Sequence, residues 1–190
     1  GYLLAYSLFF ETGNVYTKLR PLISYVILIV IWRVIYTSLG YGIEGLNLYV
    51  DPGREPIQFL FAVLGRLPIL LHGTFLFPSP AVYAVLTPLA IRLYWLIAIA
   101  LLLLLGTLFF PLWRKDRTAQ FWLVGTILAT IPLCAVFPGG RSLVLPSFGA
   151  MGFLAQLAKN AFERNDSATI NTRRRFWIQA TLLFVIAIRV

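Results

Sequence analysis

The sequence predicts an all-α fold, a polytopic bundle of about five to six transmembrane segments, and three observations carry that prediction. Hydrophobic residues make up 59% of the 190 and charged residues 12%, with a mean hydropathy of +0.83, far from soluble domains, which are about half apolar and a quarter charged. The apolar residues fall in long runs, several near the roughly 20 residues that cross about 30 Å of hydrocarbon as a helix. The basic residues sit in short clusters between those runs. A net charge of +9 therefore speaks of orientation and anionic head groups, not of nucleic acid, whose binding needs cations gathered on one polar face.

The elements follow in order. Residues 1–10, GYLLAYSLFF, are apolar but too short to cross, and are expected to be the cut end of a span. Pro21 suits the first turn of a helix, where its missing N–H costs nothing, so 22–42 is expected to span, with Arg33 near its middle or in its outer half. An intramembrane arginine must face protein, water or a phosphate, or snorkel outward.

Residues 57–77 are apolar but interrupted by Gly65, Arg66, Pro68 and His72. They are expected to form an interfacial or re-entrant element, with a broken helix as one form, because non-helical backbone at membrane depth needs protein or water to satisfy it. PSPAVY, from Pro78 to Tyr83, is a turn-rich connector.

The clearest span is 89–112, whose Leu101–Leu105 run is expected to face lipid. Next comes 119–137, ending in FPGGRS, a tight turn in which the glycines are expected to supply positive φ. The chain returns through 143–158, where SFGAMG allows close backbone approach. A polar loop leads to a last, cut span at 176–190. The chain opens and stops in mid-run, so it is expected to be part of a longer polypeptide.

Orientation follows from the basic clusters. Lys18 and Arg20, then Arg114, Lys115 and Arg117, then Lys159, Arg164, Arg173, Arg174 and Arg175 are expected on the cytoplasmic side. The opposite face then collects Arg33, Asp51, Arg54, Glu55, Arg66, His72 and Arg141. Arginine forks bind phosphate oxygens bidentately, and a carboxylate can orient them or take a proton from a hydroxyl. These seven residues are the candidate site for a phosphate or lipid head group. The alternative is a solvated loop with interfacial anchors.

The individual residues have plainer roles too. Arg33 would pair with a carbonyl or with an acid in a part of the protein outside this sequence, His72 would be a core or interfacial histidine, and Asp51-Pro52-Gly53 would be a turn. Cys134 is the single cysteine and His72 the single histidine, so neither an intramolecular disulfide nor a histidine-paired metal or haem site is expected. P-loop, HExxH, dinucleotide, nucleophile-elbow and CxxCH signatures are all missing. No catalytic residue, metal or cofactor is expected.

The segments LLAYSLFFE, PLISYVILIVIWRVIYTSLGYG, EGLNLYVDPGREPIQFL, RLPILLHG and DRTAQFWLVGTILATIPLCAVFPGGRSLVLPSFGAMGFLAQL carry a resemblance. Together they resemble the C-terminal half of uncharacterised bacterial polytopic membrane proteins related to type-C, protein-O-mannosyltransferase-like membrane glycosyltransferases. The resemblance implies a bacterial inner-membrane protein and a polyprenyl-phosphate sugar as ligand. It also implies a catalytic acid in an outward loop that precedes the matched segments, so it assigns no catalytic residue to this chain. Where the family reads GSGLYxDP this chain has EGLNLYVDP, and where the family reads SDRLL it has GGRSLVL, which removes one carboxylate and keeps Arg141. These departures suit the other expectation, a non-catalytic accessory or scaffold subunit that packs against other membrane chains.

Overall fold

A computed structural model describes residues 1–40, 49–76, 78–163 and 180. The fold is all-α. Among the described residues six α-helices follow one another: α1 Tyr2–Phe10, α2 Val15–Ser38, α3 Pro56–Phe75, α4 Pro88–Trp113, α5 Arg117–Thr130 and α6 Val144–Glu163. Short 3-10 turns at Pro80–Ala84, Ile131–Ala135 and Gly140–Leu143 link them, and the one β feature among these residues is an isolated antiparallel bridge between Tyr49 and Val136. Among the described residues four helices are long and apolar enough to cross a membrane: Tyr16–Ser38, Pro56–Phe75, Pro88–Pro111 and, with its 3-10 extension, Arg117–Ala135. This is a transmembrane helical protein.

Local chemistry sets the helix ends. α2 starts six residues before Pro21 and carries the proline inside it, because one lost backbone bond costs less than forgoing the turns that Val15–Arg20 form. It stops at Ser38, short of the expected Gly42, and Gly40 follows at φ 70°, the left-handed conformation that commonly ends helices. Thr87 caps α4 through Ala90 N at 3.4 Å, with Pro88 in the first turn. The expected positive φ at the FPGGRS turn is not found. Gly139 is extended at φ −128°, and the chain turns instead through the 3-10 segment Gly140–Leu143, where Ser142 Oγ donates to Gly139 O at 2.7 Å.

α3 is one continuous helix of 20 residues, so the broken-helix expectation is corrected. Pro68 has no N–H to offer the carbonyl of Leu64, four residues back. That carbonyl accepts from Trp95 Nε1–H on α4 instead, at 3.0 Å, and the helix continues through the proline. Only its second half is covered. Ile69, Leu70, His72, Gly73, Thr74 and Phe75 are buried, whereas Ile57, Leu60, Phe61 and Leu64 are exposed.

Both flanks of α3 meet the connector between α5 and α6. On the near side Val50 N donates to Ala135 O at 2.8 Å. On the far side Tyr83 packs its ring on Phe137 with centroids 5.5 Å apart. The segment between them descends to Phe75, which packs on Phe153 of α6, and turns back with Pro80 set against Gly73.

The main core lies between α4, α5, α6 and the tip of α3, around Phe75, Phe109, Ala119, Ala150, Phe153, Leu154 and Leu157. A smaller cluster of Leu70, Cys134 and Leu143 sits under the α5–α6 connector. Small residues bring the helices close, as SFGAMG suggests. A Cβ on Gly152 would lie 2.6 Å from the Trp122 ring, and Gly125 and Gly149 have no room for one beside Tyr2 of α1. In the leucine run of α4, Leu103 and Leu104 are exposed while Leu102 and Leu105 pack against the core, because a helix cannot turn five successive side chains outward.

These contacts give the bundle two ends. Phe10 stacks edge-on to Phe121, Lys18 Nζ donates to Leu8 O at 3.1 Å, and Asn160 reaches Asp116. Lys18, Arg20, Arg114, Lys115, Arg117 and Lys159 therefore lie at one end. Asp51, the α5–α6 connector and the start of α4 lie at the other. Arg164, Arg173, Arg174 and Arg175, and all of 176–190 but residue 180, lie outside the described residues, as do 41–48 and Phe77.

Candidate functional site

The loop before α3 is where the polar residues of the second end meet. Asp51 Oδ1 accepts from Gly53 N at 2.8 Å, forming the turn that Asp-Pro-Gly specifies. Its Oδ2 pairs with the guanidinium of Arg33 from α2. Arg33 thus finds an acid eighteen positions along its own chain. The Arg33 guanidinium, helped by the Gly53 and Arg54 amides, holds the Asp51 carboxyl below its ordinary range despite some burial. Arg33 is 36% exposed and Asp51 20%, so the pair is a partly exposed clasp near the C-terminal end of α2.

Arg66 reaches the same connector from α3. Its Nη1 donates to Cys134 O at 2.9 Å and to Val136 O at 3.2 Å. A 3-10 turn that ends at Ala135 leaves carbonyls without helical donors, and the arginine satisfies two of them. With the Val50–Ala135 bond and the Tyr49–Val136 bridge, these contacts form a continuous lattice from α2 through the loop to the α5–α6 connector.

Arg54 and Glu55 are exposed on the loop that opens α3. His72 lies apart from them, buried, with Nδ1 3.1 Å from Tyr94 Oη and the two rings edge to face. Tyr94 Oη lies within 3.4 Å of Pro78 O and donates to it. This matches a core histidine. The backbone of Arg141 is in the third 3-10 turn, and its side chain lies outside those described. The structure therefore joins Arg33 to Asp51 and brings Arg66 to the connector that their loop touches, while His72 is packed between α3 and α4. Among the described residues no three of His, Cys, Asp and Glu gather as metal ligands would.

Sequence reasoning gave Asp116 no role. It occupies the N-cap of α5, accepting from Thr118 N at 2.8 Å and Ala119 N at 3.3 Å, and it also receives the side-chain amides of Gln156 and Asn160 from α6. The signal was present as an aspartate placed just ahead of an apolar run. Trp95 and Tyr94 were also missed, and no local pattern marks an indole as the partner of a carbonyl freed by a distant proline. No family model, no curated protein and no solved structure matches this chain.

Proposed function

We propose that this chain is a non-catalytic, membrane-embedded part of a larger membrane assembly, with α2 as the helix that meets the other members. The supporting observation is α2 itself. From Tyr16 to Ser38 no residue is buried, and apolar side chains point out on every side, among them Tyr25, Leu28, Ile29, Trp32 and Ile35. The helix meets the rest of the described fold through α1 near its start and the Arg33–Asp51 clasp near its end. Trp and Tyr on such a helix supply contact area at small conformational cost. The polar groups at that end mostly hold the fold together, which suits packing better than turnover.

A photo-crosslinking scan along α2 in native membranes tests this. Adducts of one reproducible mass, recurring every three to four positions, are expected from a helix that lays one stripe on a partner. No protein adduct at any position from Tyr25 to Ile35 overturns the proposal.

A second reading is favoured by the exposed part of Arg33 and by Arg54 at the same end. There the chain would bind a polyprenyl-phosphate sugar on the outer face of a bacterial inner membrane, as the resemblance to type-C glycosyltransferases implies, with the catalytic acid supplied from outside this chain. Retention of a radiolabelled polyprenyl-phosphate sugar by the purified protein, lost in Arg33→Ala and restored in Arg33→Lys, is the expected result. Equal retention by Arg33→Ala at equal protein level overturns it.

A further inference from the structure

The basic end carries an apolar feature with a charged mouth. Gly106 interrupts the leucine-rich part of α4, and a Cβ built there would meet nothing within 4 Å. Beside it lies a recess of about 110 Å³ walled by Phe75, Leu102, Phe109 and Phe153. A more open trough of about 440 Å³ shares Leu102, Gly106 and Trp113 with it and continues over Phe110. The trough falls within the roughly 300–1,000 Å³ of small-molecule sites, and its lining is almost wholly hydrocarbon. Gly106 and Phe110 belong to the span Pro88–Pro111, so the medium outside the trough is lipid. Left unfilled, the recess would forfeit the dispersion contacts of its walls.

Charge identifies the occupant. The guanidinium of Arg114 stands 5.4 Å from the centre of the Phe110 ring, directly over the wall of the trough. Lys115 and Arg117 follow, and all three are exposed. The acid among them, Asp116, has both oxygens engaged by α5 and α6. The mouth is therefore cationic, and Trp113 beside it is a residue type that favours the head-group level.

We propose that the recess and trough seat one acyl chain of an anionic phospholipid from the leaflet at the basic end, with its phosphate held by Arg114 and Lys115. A hydrocarbon tail fits a trough that opens along a lipid-facing helix, and a phosphate fits two cations at the level where that tail ends. This site is separate from the Arg33–Asp51 end and independent of the α2 proposal.

Native mass spectrometry of the whole chain in neutral maltoside detergent tests it, with dioleoylphosphatidylglycerol, dioleoylphosphatidylcholine and glycerol 3-phosphate as probes. One phosphatidylglycerol per chain is expected, held about five-fold or more tightly than phosphatidylcholine, as cations near a phosphate should give. Excess glycerol 3-phosphate, which has the head group without the chain, should not displace it. Gly106→Leu fills the recess and should weaken phosphatidylglycerol about ten-fold, equivalent to losing two buried methylenes, while Gly106→Ala stays close to wild type. Arg114→Gln with Lys115→Gln should bring phosphatidylglycerol down to the level of phosphatidylcholine.

Leu103→Trp, which obstructs the trough from the exposed side of α4, decides the matter in the same way if Gly106→Leu does not fold. Equal binding of the two lipids by wild type overturns the proposal, as does displacement by glycerol 3-phosphate. Unweakened binding in a folded trough-filling variant also overturns it.

Discussion

Asn160 donates its side-chain amide to Asp116 Oδ2 at 2.5 Å, and Gln156, one turn earlier on α6, donates to the same oxygen at 2.8 Å. The other oxygen of that carboxylate caps α5. One side chain thus closes a helix terminus and bolts a second helix to it. Asp116→Ala removes the cap and both amide contacts, and should lower stability by about 1–3 kcal/mol. Asp116→Asn keeps a capping oxygen and should lie between that variant and wild type. Melting temperatures in one detergent check the order, and identical melting of all three proteins would exclude the bolt.

Acid should loosen the protein through two carboxylates outside the spans. Asp51 is held low by Arg33 first and by backbone amides after it. For Asp116 burial is the largest influence and pushes upward, but the Asn160 and Gln156 amides with the Ala119 and Thr118 N–H groups together outweigh it, leaving its pKa lowered as well. A folded-state pKa below the unfolded value gives stability that is complete above the unfolded value, 3.8 for both groups, and is lost as pH falls through the folded value. Melting temperature should be level from about pH 5 to 7 and drop below about pH 4. Asp51→Asn with Asp116→Asn should be less stable at pH 7 and should show a shallower drop in acid. An equal acid slope in that variant would place the sensitivity elsewhere.

Two glycines should respond in opposite directions. Gly152 faces the Trp122 ring, where a Cβ would meet it at 2.6 Å, whereas nothing lies within 4 Å of a Cβ at Gly65. Gly152→Val overfills the α5–α6 contact and should cost at least about 1–3 kcal/mol. Gly65→Ala replaces a helix-interior glycine and should be neutral or stabilising by up to about 1 kcal/mol. Thermal melts of the two variants test the contrast.

Cys134 is buried and gives a quiet background for thiol labelling. Because Val50 and Tyr83 both contact the α5–α6 connector, Glu55→Cys and Ala81→Cys should label from the same side of the membrane with an impermeant maleimide. Lys115→Cys should label from the other. Labelling of Glu55→Cys and Ala81→Cys from opposite sides would mean that α3 crosses the bilayer outright.

Much of the architecture was legible because lipid leaves so few choices for an apolar run. The runs at 22–42, 89–112 and 119–137 overlap α2 (Val15–Ser38), α4 (Pro88–Trp113) and α5 (Arg117–Thr130) with its 3-10 extension, and the small residues of 147–152 do sit at a close helix contact. What could not be read depends on partners far along the chain. Pro68 gave reason to expect a break in α3, and only the fold shows that Trp95 takes up the carbonyl the proline abandons. Asp51 was legible as a turn, since its bond to Gly53 is local, but its second oxygen meets an arginine whose partner no spacing rule selects. Arg66 was a candidate for a phosphate or lipid head group, and no local pattern signals that its Nη1 would serve two backbone carbonyls at the end of a 3-10 turn.

The clasp between Arg33 and Asp51 also bears on the order in which the protein is made. Synthesis runs from the N-terminus, so α2 is complete and ready to enter the bilayer while Asp51 is still to be added. Until then the guanidinium lacks this carboxylate, and its place near the C-terminal end of α2 lets it snorkel toward water and head groups. Once the loop emerges, its aspartate replaces them and fixes the depth of α2 relative to the start of α3. A chain that failed to make this late connection would, among the described residues, keep α2 tied to the bundle through α1 near its start.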